Sequence, residues 1–519
     1  MINTLRLPFR LLSIARVLRR HDALSAIEAI GIYPTAVSLL RRVGGSSKEG
    51  RPGQKLANAL TELGPSFIKF GQFLATRADL IGEQMATDLS NLQDRLPPFD
   101  FKDAKAAIEE ELGSPLDQLF SSFDRQPISA ASIAQVHFAL TREEDPEAPP
   151  REVAIKVLRP GIERALDRDM QLFYYLAYLV ERTQPWLRRF KPVEVVRLFE
   201  ETVRTEMDLR MEAAAASELA EHFQDDPDYH VPEIDWERTG RRVVTQTRLS
   251  GIRLDHRDEL LAAGHDLTEI LRKASAIFFN QVFRDGFFHG DQHPGNMFVL
   301  PDGSIGAVDF GIMGRLDYRT RTFLADMLLA TLARDYERLA EVQMEAGYLP
   351  AGQPTDLYAQ ALRAVCEPIF GRPLARISFA RLLGQLFRLT ESFNLSVQPQ
   401  LVLLQKNMLM AEGVSRRLDP DLNIWMLAEP LITDWMRQHR GPQARARETA
   451  QSLLRGLERL PDTLDHMESI IRQAAEGGLR LHPETVLALA EARRQAAVTR
   501  RAYLLALLAL AIALAALLL

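Results

Sequence analysis

Apolar residues recur at helical spacing along most of the chain, and the stretches that break this rhythm divide it into parts. Residues 21 to about 120 are helical by pattern, interrupted by the Gly/Ser/Lys segment Gly44 to Gly53 and by the pair Pro97-Pro98. From Ile128 to about Val157 the texture changes to short β-branched runs, ISAASIAQVHFAL and EVAIKVL, on either side of the charged, Pro-rich TREEDPEAPPR. This predicts a hairpin with a long loop and the start of a small sheet. One helical stretch is expected from about Pro192 to Phe223. RRVVTQTRL then returns to strand composition, and from Leu254 onward helices dominate, broken at Gly347, Pro350 to Pro354, Pro420, Gly441 and Pro461. The order strands, helix, strand, helical mass predicts an α+β fold with helical additions.

Both ends depart from this pattern. Residues 502–519 read AYLLALLALAIALAALLL, a run without charge that as a helix, at ~1.5 Å per residue, just crosses a hydrocarbon core of ~30 Å. A transmembrane segment is expected there, and Arg493, Arg494, Arg500 and Arg501 before it place the preceding body on the cytoplasmic side. The first twenty residues carry Arg6, Arg10, Arg16, Arg19 and Arg20 with no acid, interleaved with Leu5, Leu7, Phe9, Leu11, Leu12, Ile14, Val17 and Leu18. This basic amphipathic pattern reads as a helix lying on anionic lipid, with an organelle targeting peptide as the alternative.

Composition narrows the function classes. With 519 residues, 46% hydrophobic and 25% charged, the chain is globular and long enough for more than one domain. The single cysteine, Cys366, allows neither an intrachain disulfide nor a zinc knuckle, which fits a reducing, cytoplasm-like setting. A net charge of -6 argues against a general nucleic-acid-binding surface.

The candidate chemistry lies in the middle. Phe288-His289-Gly290-Asp291-Gln292-His293-Pro294-Gly295-Asn296 is followed by MFVL, a Pro-Asp-Gly turn, SIGAV and Asp309-Phe310-Gly311. Asp291 and Asn296 have the spacing of the protein-kinase catalytic loop, in which the Asp acts as proton acceptor and the Asn holds a metal, and Asp309 stands as the DFG aspartate. Phosphoryl transfer needs such a set: oxygen ligands, here Asn296 and Asp309, fix Mg²⁺ on the phosphates of ATP while one carboxylate aligns the acceptor. A zinc site from His289, Asp291 and His293 is a weaker alternative, because the Pro294-Gly295 loop lacks the regularity of a strand.

Upstream, Val153-Ala154-Ile155-Lys156 is the strand form of the lysine that grips the α- and β-phosphates. Only nine of the 63 basic residues are lysine, so Lys156 is not a casual cation. It is expected in an open cleft, contributing little to the core. Where a kinase carries its Gly-rich loop, this chain has Ser129-Ala130-Ala131-Ser132-Ile133-Ala134-Gln135-Val136. Small side chains still let backbone N–H groups approach phosphate, but without glycine the loop must take another shape.

These residues resemble the UbiB/ADCK family of atypical kinase-like proteins over roughly 55 to 430. Lys69-Phe70-Gly71-Gln72 matches the KxGQ motif, Glu206-Met207-Asp208 the ExD motif, and Ser129 to Val136 the Ala-rich loop. The resemblance implies a bilobal protein-kinase-like fold: an N-terminal extension over 1–120, an N-lobe over 121–250, a C-lobe over 251–430, and further helices over 431–500 ahead of the span. It implies ATP held by Ile128, the Ala-rich loop, Lys156 and Glu212. It also implies Mg²⁺, ATPase activity, membrane association, and a KxGQ helix packed over the site where a kinase admits a peptide. Lys69 and Gln72 share a helical face, and Glu206 with Asp208 can receive the cation, making these four a regulatory lid. Glu212, read as lying on the same helix as Glu206, is the candidate partner of Lys156, with Glu206 the competitor. Relatives carry two membrane spans where this chain has one apolar run, and no Ala-Pro-Glu element follows DFG, which disfavours a conventional protein kinase.

The resulting expectation is a membrane-tethered ATPase that supports ubiquinone biosynthesis by extracting or presenting prenylated phenol or quinone intermediates. It would sit at a bacterial inner membrane, or less fittingly a mitochondrial one, beside ubiquinone-biosynthesis enzymes. A small-molecule kinase and a nucleotide-binding scaffold without turnover are the alternatives. Intact Lys156, Asp291, Asn296 and Asp309 argue against the scaffold.

Overall fold

The computed structural model describes residues 7–23, 26, 50–143, 145–346, 355–370, 382–385, 399–419 and 430–435, apart from 76, 78–80, 91, 93–95, 146, 185–187, 189–190 and 432. The expected helices over 431–500 lie almost wholly outside these residues, and the expected span at 502–519 lies wholly outside them. Among the described residues no helix is long and apolar enough to cross a membrane.

The first sheet has β1 (Phe120–Phe123), β2 (Ser129–Ala130), β3 (Ala134–Thr141), β4 (Glu152–Leu158) and β6 (Val243–Thr247) in the order β1-β3-β4-β6, with β2 also paired to β3. All pairings are antiparallel, and Val136, Lys156 and Val244 stand in register across the three longest strands. Period-two alternation sorts β4. Val153, Ile155 and Val157 join Ala107 and Ile108 of the helix Phe101–Leu112 in one core, which turns Lys156 and Leu158 to the opposite face. β1 was not legible as a strand, because FSSF is too short to show a period.

On that opposite face lie the helices Ile162–Thr183, Pro192–Glu206 and Leu209–His222. The first was not among the elements expected from the pattern. The other two replace the single helix expected from Pro192 to Phe223: the chain breaks at Met207, and the Asp208 side chain caps the second helix by accepting from Arg210 N at 3.2 Å. Glu206 and Glu212 therefore stand on different helices.

The second sheet has the order β5-β10-β9-β7: β5 (Tyr229–His230) runs parallel to β10 (Ile305–Ala307), β10 antiparallel to β9 (Met297–Val299), and β9 antiparallel to β7 (Ile252–Arg253). β8 (Phe287–His289) pairs with β11 (Met313–Arg315). Phe287, Val299, Ile305, Ala307 and Phe310 form a core with the helix Leu267–Phe279. The Pro-Asp-Gly turn closes the β9–β10 hairpin as predicted.

The N-terminal helix forms over Leu7–Arg20, and part of its apolar face is packed into the protein. Ile14 and Val17 are buried and Leu11 and Leu18 pack beside them, in one core with Leu56, Leu60 and Leu166. Arg10 pairs with Asp169 at 3.1 Å. For these described residues the cover is protein, because the helix Pro52–Leu63 offers them a matching apolar face.

Candidate functional site

Lys156 reaches from β4 to the first turn of the helix Leu209–His222. Its Nζ donates to Glu212 Oε1 at 2.8 Å, to Oε2 at 2.9 Å, and to Asp309 Oδ1 at 3.0 Å. The lysine is not in an open cleft: its side chain is 19% exposed and that of Glu212 9%, whereas Asp309 is 52% exposed. Burial disfavours the ammonium, but Asp309 and Glu212 together outweigh it and hold Lys156 above the usual lysine range. Lys156 in turn holds Asp309 below the usual carboxylate range against the opposing effect of burial, and the Lys69 cation adds to this. Burial pushes Glu212 up, against the pull of Lys156. Glu212, not Glu206, is thus the partner of Lys156.

Asp309 follows β10 and adopts φ 65, a left-handed conformation uncommon for a residue with a side chain. Phe310 anchors it from the next position, buried and with its ring 5.4 Å from His289. The β9–β10 pairing, extended by Val308 N donating to Asn296 O at 2.9 Å, brings Asn296 and Asp309 to one end of the hairpin.

The loop from β8 is held by its own polar groups. His289 is fully buried, its Nδ1 accepting from Asp291 N at 3.0 Å and its Nε2 3.3 Å from Val308 O, which assigns the proton to Nε2. Burial pushes this imidazole below the ordinary histidine range, so it is neutral. Gln281 accepts from His289 N at 3.0 Å, and Asn296 Nδ2 donates to Asp291 O at 3.2 Å. The Asn296 amide oxygen is the acceptor left for a cation. His289, with both nitrogens used in the core, does not fit the zinc alternative, and no metal-holding cluster of His, Cys, Asp or Glu occurs among the described residues. An amide oxygen and a carboxylate are hard ligands that suit Mg²⁺ carried on phosphates.

The Ala-rich segment is a tight hairpin. Ser129 pairs with Val136 and Ala130 with Gln135, Ala131 N donates to Ala134 O at 2.8 Å, and Ile128 N to Val136 O at 2.9 Å. Ser132, Ile133, Ala134 and Gln135 are buried, and Arg159 N donates to Ile133 O at 2.7 Å, pinning the tip to the end of β4. Ile128, by contrast, is 63% exposed.

Lys69, on the helix Pro65–Ala75, reaches Glu206 Oε2 at 2.9 Å, with both side chains largely buried. Asp208 does not share this role as expected: its carboxylate caps Leu209–His222 and pairs with the Arg210 guanidinium at 2.7 Å. Gln72 is half-buried on the same helix as Lys69. That helix is docked mainly by aromatic rings, Phe67 and Phe70 on Phe173 at 5.0 and 4.7 Å, and Phe70 and Phe73 on Phe199 at 5.1 and 5.4 Å. Gly71 lies against Leu60 and Leu92, where a Cβ would stand 2.7 and 2.5 Å from their methyls.

Two site residues escaped the sequence reading. Lys406 Nζ donates to Asp291 Oδ1 at 2.8 Å, and Asn407 Nδ2 to His289 O at 2.7 Å, both from the helix Pro399–Leu418. The scarcity of lysine that singled out Lys156 applies equally to Lys406.

With this geometry in view, comparison with known proteins is specific. The family described as the ABC1 atypical kinase-like domain matches residues 91–343, and the UbiB helical domain matches 362–423. A protein named "Probable protein kinase UbiB" from Marinobacter nauticus is 42% identical over 430 residues, covering 82% of this chain and 78% of the relative. Its namesake from Xanthomonas oryzae pv. oryzae is 44% identical over 431 residues, covering 82% and 77%. Among solved structures, "The complex structure of Rv3197-erythromycin from Mycobacterium tuberculosis" is 24% identical with a TM-score of 0.48, covering 76% of this chain and 97% of that one.

Proposed function

The chain belongs to the UbiB family of ABC1 atypical kinase-like proteins, and from that membership we propose that it binds MgATP and transfers or hydrolyses its γ-phosphoryl group in support of ubiquinone biosynthesis. The observation that carries this reading is Lys156 joined to both Glu212 and Asp309. A cation anchored by Glu212 and shared with a half-exposed aspartate is poised to exchange Asp309 for nucleotide phosphates.

In this reading Lys156 grips the α- and β-phosphates, with Ile128 and the Ser129 to Val136 hairpin bordering the nucleotide. Asn296 and Asp309 hold Mg²⁺, which neutralises charge on the phosphoryl oxygens. Asp291 aligns the acceptor hydroxyl or water, and neutral His289 fixes the Asp291 backbone. Lys69 and Gln72 belong to a helix that covers acceptor entry, Glu206 holds Lys69 from the end of the helix Pro192–Glu206, and Asp208 sets the start of the helix that follows. Residues 502–519 are proposed as the anchor to a bacterial inner membrane, with anionic lipid, prenylated phenols and ubiquinone-biosynthesis enzymes as partners. Resistance of the membrane-bound protein to carbonate extraction, lost on deleting 502–519, tests that anchor.

The decisive experiment is [γ-³²P]ATP turnover with and without anionic liposomes and a prenylphenol, following the label. Label in free phosphate supports an ATPase, and label in the phenol supports a small-molecule kinase. Binding of MgATP without any turnover would replace both with a scaffold.

A further inference from the structure

The helix Pro399–Leu418 lays one face on the phosphoryl-transfer loop. Leu403, Lys406 and Asn407, at i, i+3 and i+4, share that face. Leu403 packs on Gly290, where a Cβ would stand 2.8 Å from Leu403 Cδ2. Asn407 donates to His289 O at 2.7 Å and accepts from Gln292 N at 3.3 Å. Lys406 Nζ donates to Asp291 Oδ1 at 2.8 Å.

Docking does not require that ion pair. Leu401, Leu404, Val414 and Leu418 are buried along the helix, whereas the side chains of Lys406 and Asp291 are 39% and 34% exposed. Solvent screens a pair so open to water, and such pairs contribute little to stability. The loop offers no lysine or arginine of its own, since Gln292, His293, Pro294 and Gly295 fill the positions between Asp291 and Asn296. A scarce lysine is thus brought from a distant helix to the carboxylate that would face the acceptor.

We propose that Lys406 is a positioning residue for Asp291, supplied to the centre by the C-terminal helical region. It engages Oδ1, fixes the plane of the carboxylate, and leaves Oδ2 to receive the hydrogen bond of the acceptor hydroxyl or water. This rests on the phosphoryl-transfer reading above.

The test measures kcat and KM for MgATP in the full-length protein and its Lys406→Ala and Lys406→Arg variants, and repeats Lys406→Ala in an Asp291→Asn background. A positioning role predicts a fall in kcat of about tenfold to a hundredfold in Lys406→Ala, with KM within about twofold and Tm unchanged. Lys406→Arg recovers to within about threefold of wild type, and Lys406→Ala adds no loss once Asp291 is Asn. An unchanged kcat, an equal further loss in the Asp291→Asn background, or a loss accompanied by lowered Tm that arginine does not repair would overturn the proposal. A wild-type protein without turnover defeats the phosphoryl-transfer reading instead, and amine acetylation read by mass spectrometry then decides the pair. Asp291→Asn should raise labelling of Lys406 several-fold relative to exposed Lys102, and equal labelling in both proteins overturns it.

Discussion

Lys156 Nζ and Glu212 Oε1 lie 2.8 Å apart across 56 positions of sequence, joining the central strand of the first sheet to the first turn of a helix. Because both side chains are largely buried, this contact couples the candidate nucleotide site to the stability of the lobe that carries it.

Lys156→Met should therefore weaken MgATP binding and also lower Tm, by about 5 °C or more, since it leaves Glu212 buried without its cation. The deficit is pH-dependent. Burial already pushes Glu212 up, and without Lys156 its folded pKa lies further above the unfolded value of about 4.3. The native state of the variant then binds more protons than the unfolded state, so its stability falls as pH rises above that value. Thermal melts should show a larger loss against wild type at pH 8 than at pH 5. A pH-independent deficit would place the effect outside Glu212.

Asp309→Asn should abolish the thermal shift given by MgATP while leaving the ligand-free fold intact. Asparagine tolerates the left-handed φ of 65, but an amide cannot supply the anionic ligand. Asp309→Val, β-branched at that backbone angle, should lose Tm as well. An undiminished MgATP shift in Asp309→Asn would move the metal elsewhere.

Acid should destabilise the wild-type protein before its carboxylates titrate. Burial depresses both His289 and His137, so below about pH 6.5 the unfolded chain takes up protons that the native state refuses. Stability is complete above that value and is lost as pH falls through it. His289→Asn should show a smaller fall in Tm between pH 7.5 and 5.5. A slope identical to wild type would mean that His289 is protonated in the native state.

Loosening the helix Pro65–Ala75 should uncover autophosphorylation, but not by way of its charge pair. The rings of Phe67, Phe70 and Phe73 keep it docked, so Lys69→Ala/Glu206→Gln should incorporate no more label than wild type. Gly71→Val forces methyl groups against Leu60 and Leu92, a mismatch of about 1–3 kcal/mol, and should raise incorporation. Adding Asp291→Asn must remove the extra label. Equal background in Gly71→Val and wild type would end the lid reading.

Short-range chemistry was legible in the sequence. The His289 to Asn296 loop, the hairpin that follows it, the strand bearing Lys156 and the KxGQ helix depend on turn residues, period and fixed spacing within a few residues, and each forms where expected. The break at Met207 was less legible, because RMEAAAA continues a helical composition and only the Asp208 cap marks the restart.

Partnership across long intervals was decided by tertiary structure. Glu206 and Glu212 are equivalent as sequence, and the turn between their helices sends one to Lys69 and the other to Lys156. The basic N-terminal helix has the composition of a lipid-surface segment, and only the packed chain shows that its Ile14 and Val17 meet protein, on the helix Pro52–Leu63. Lys406, 115 positions from Asp291, belongs to no local pattern. Periodicity tells which face of a helix is apolar, but only the packed chain determines which distant residue that face delivers to the site.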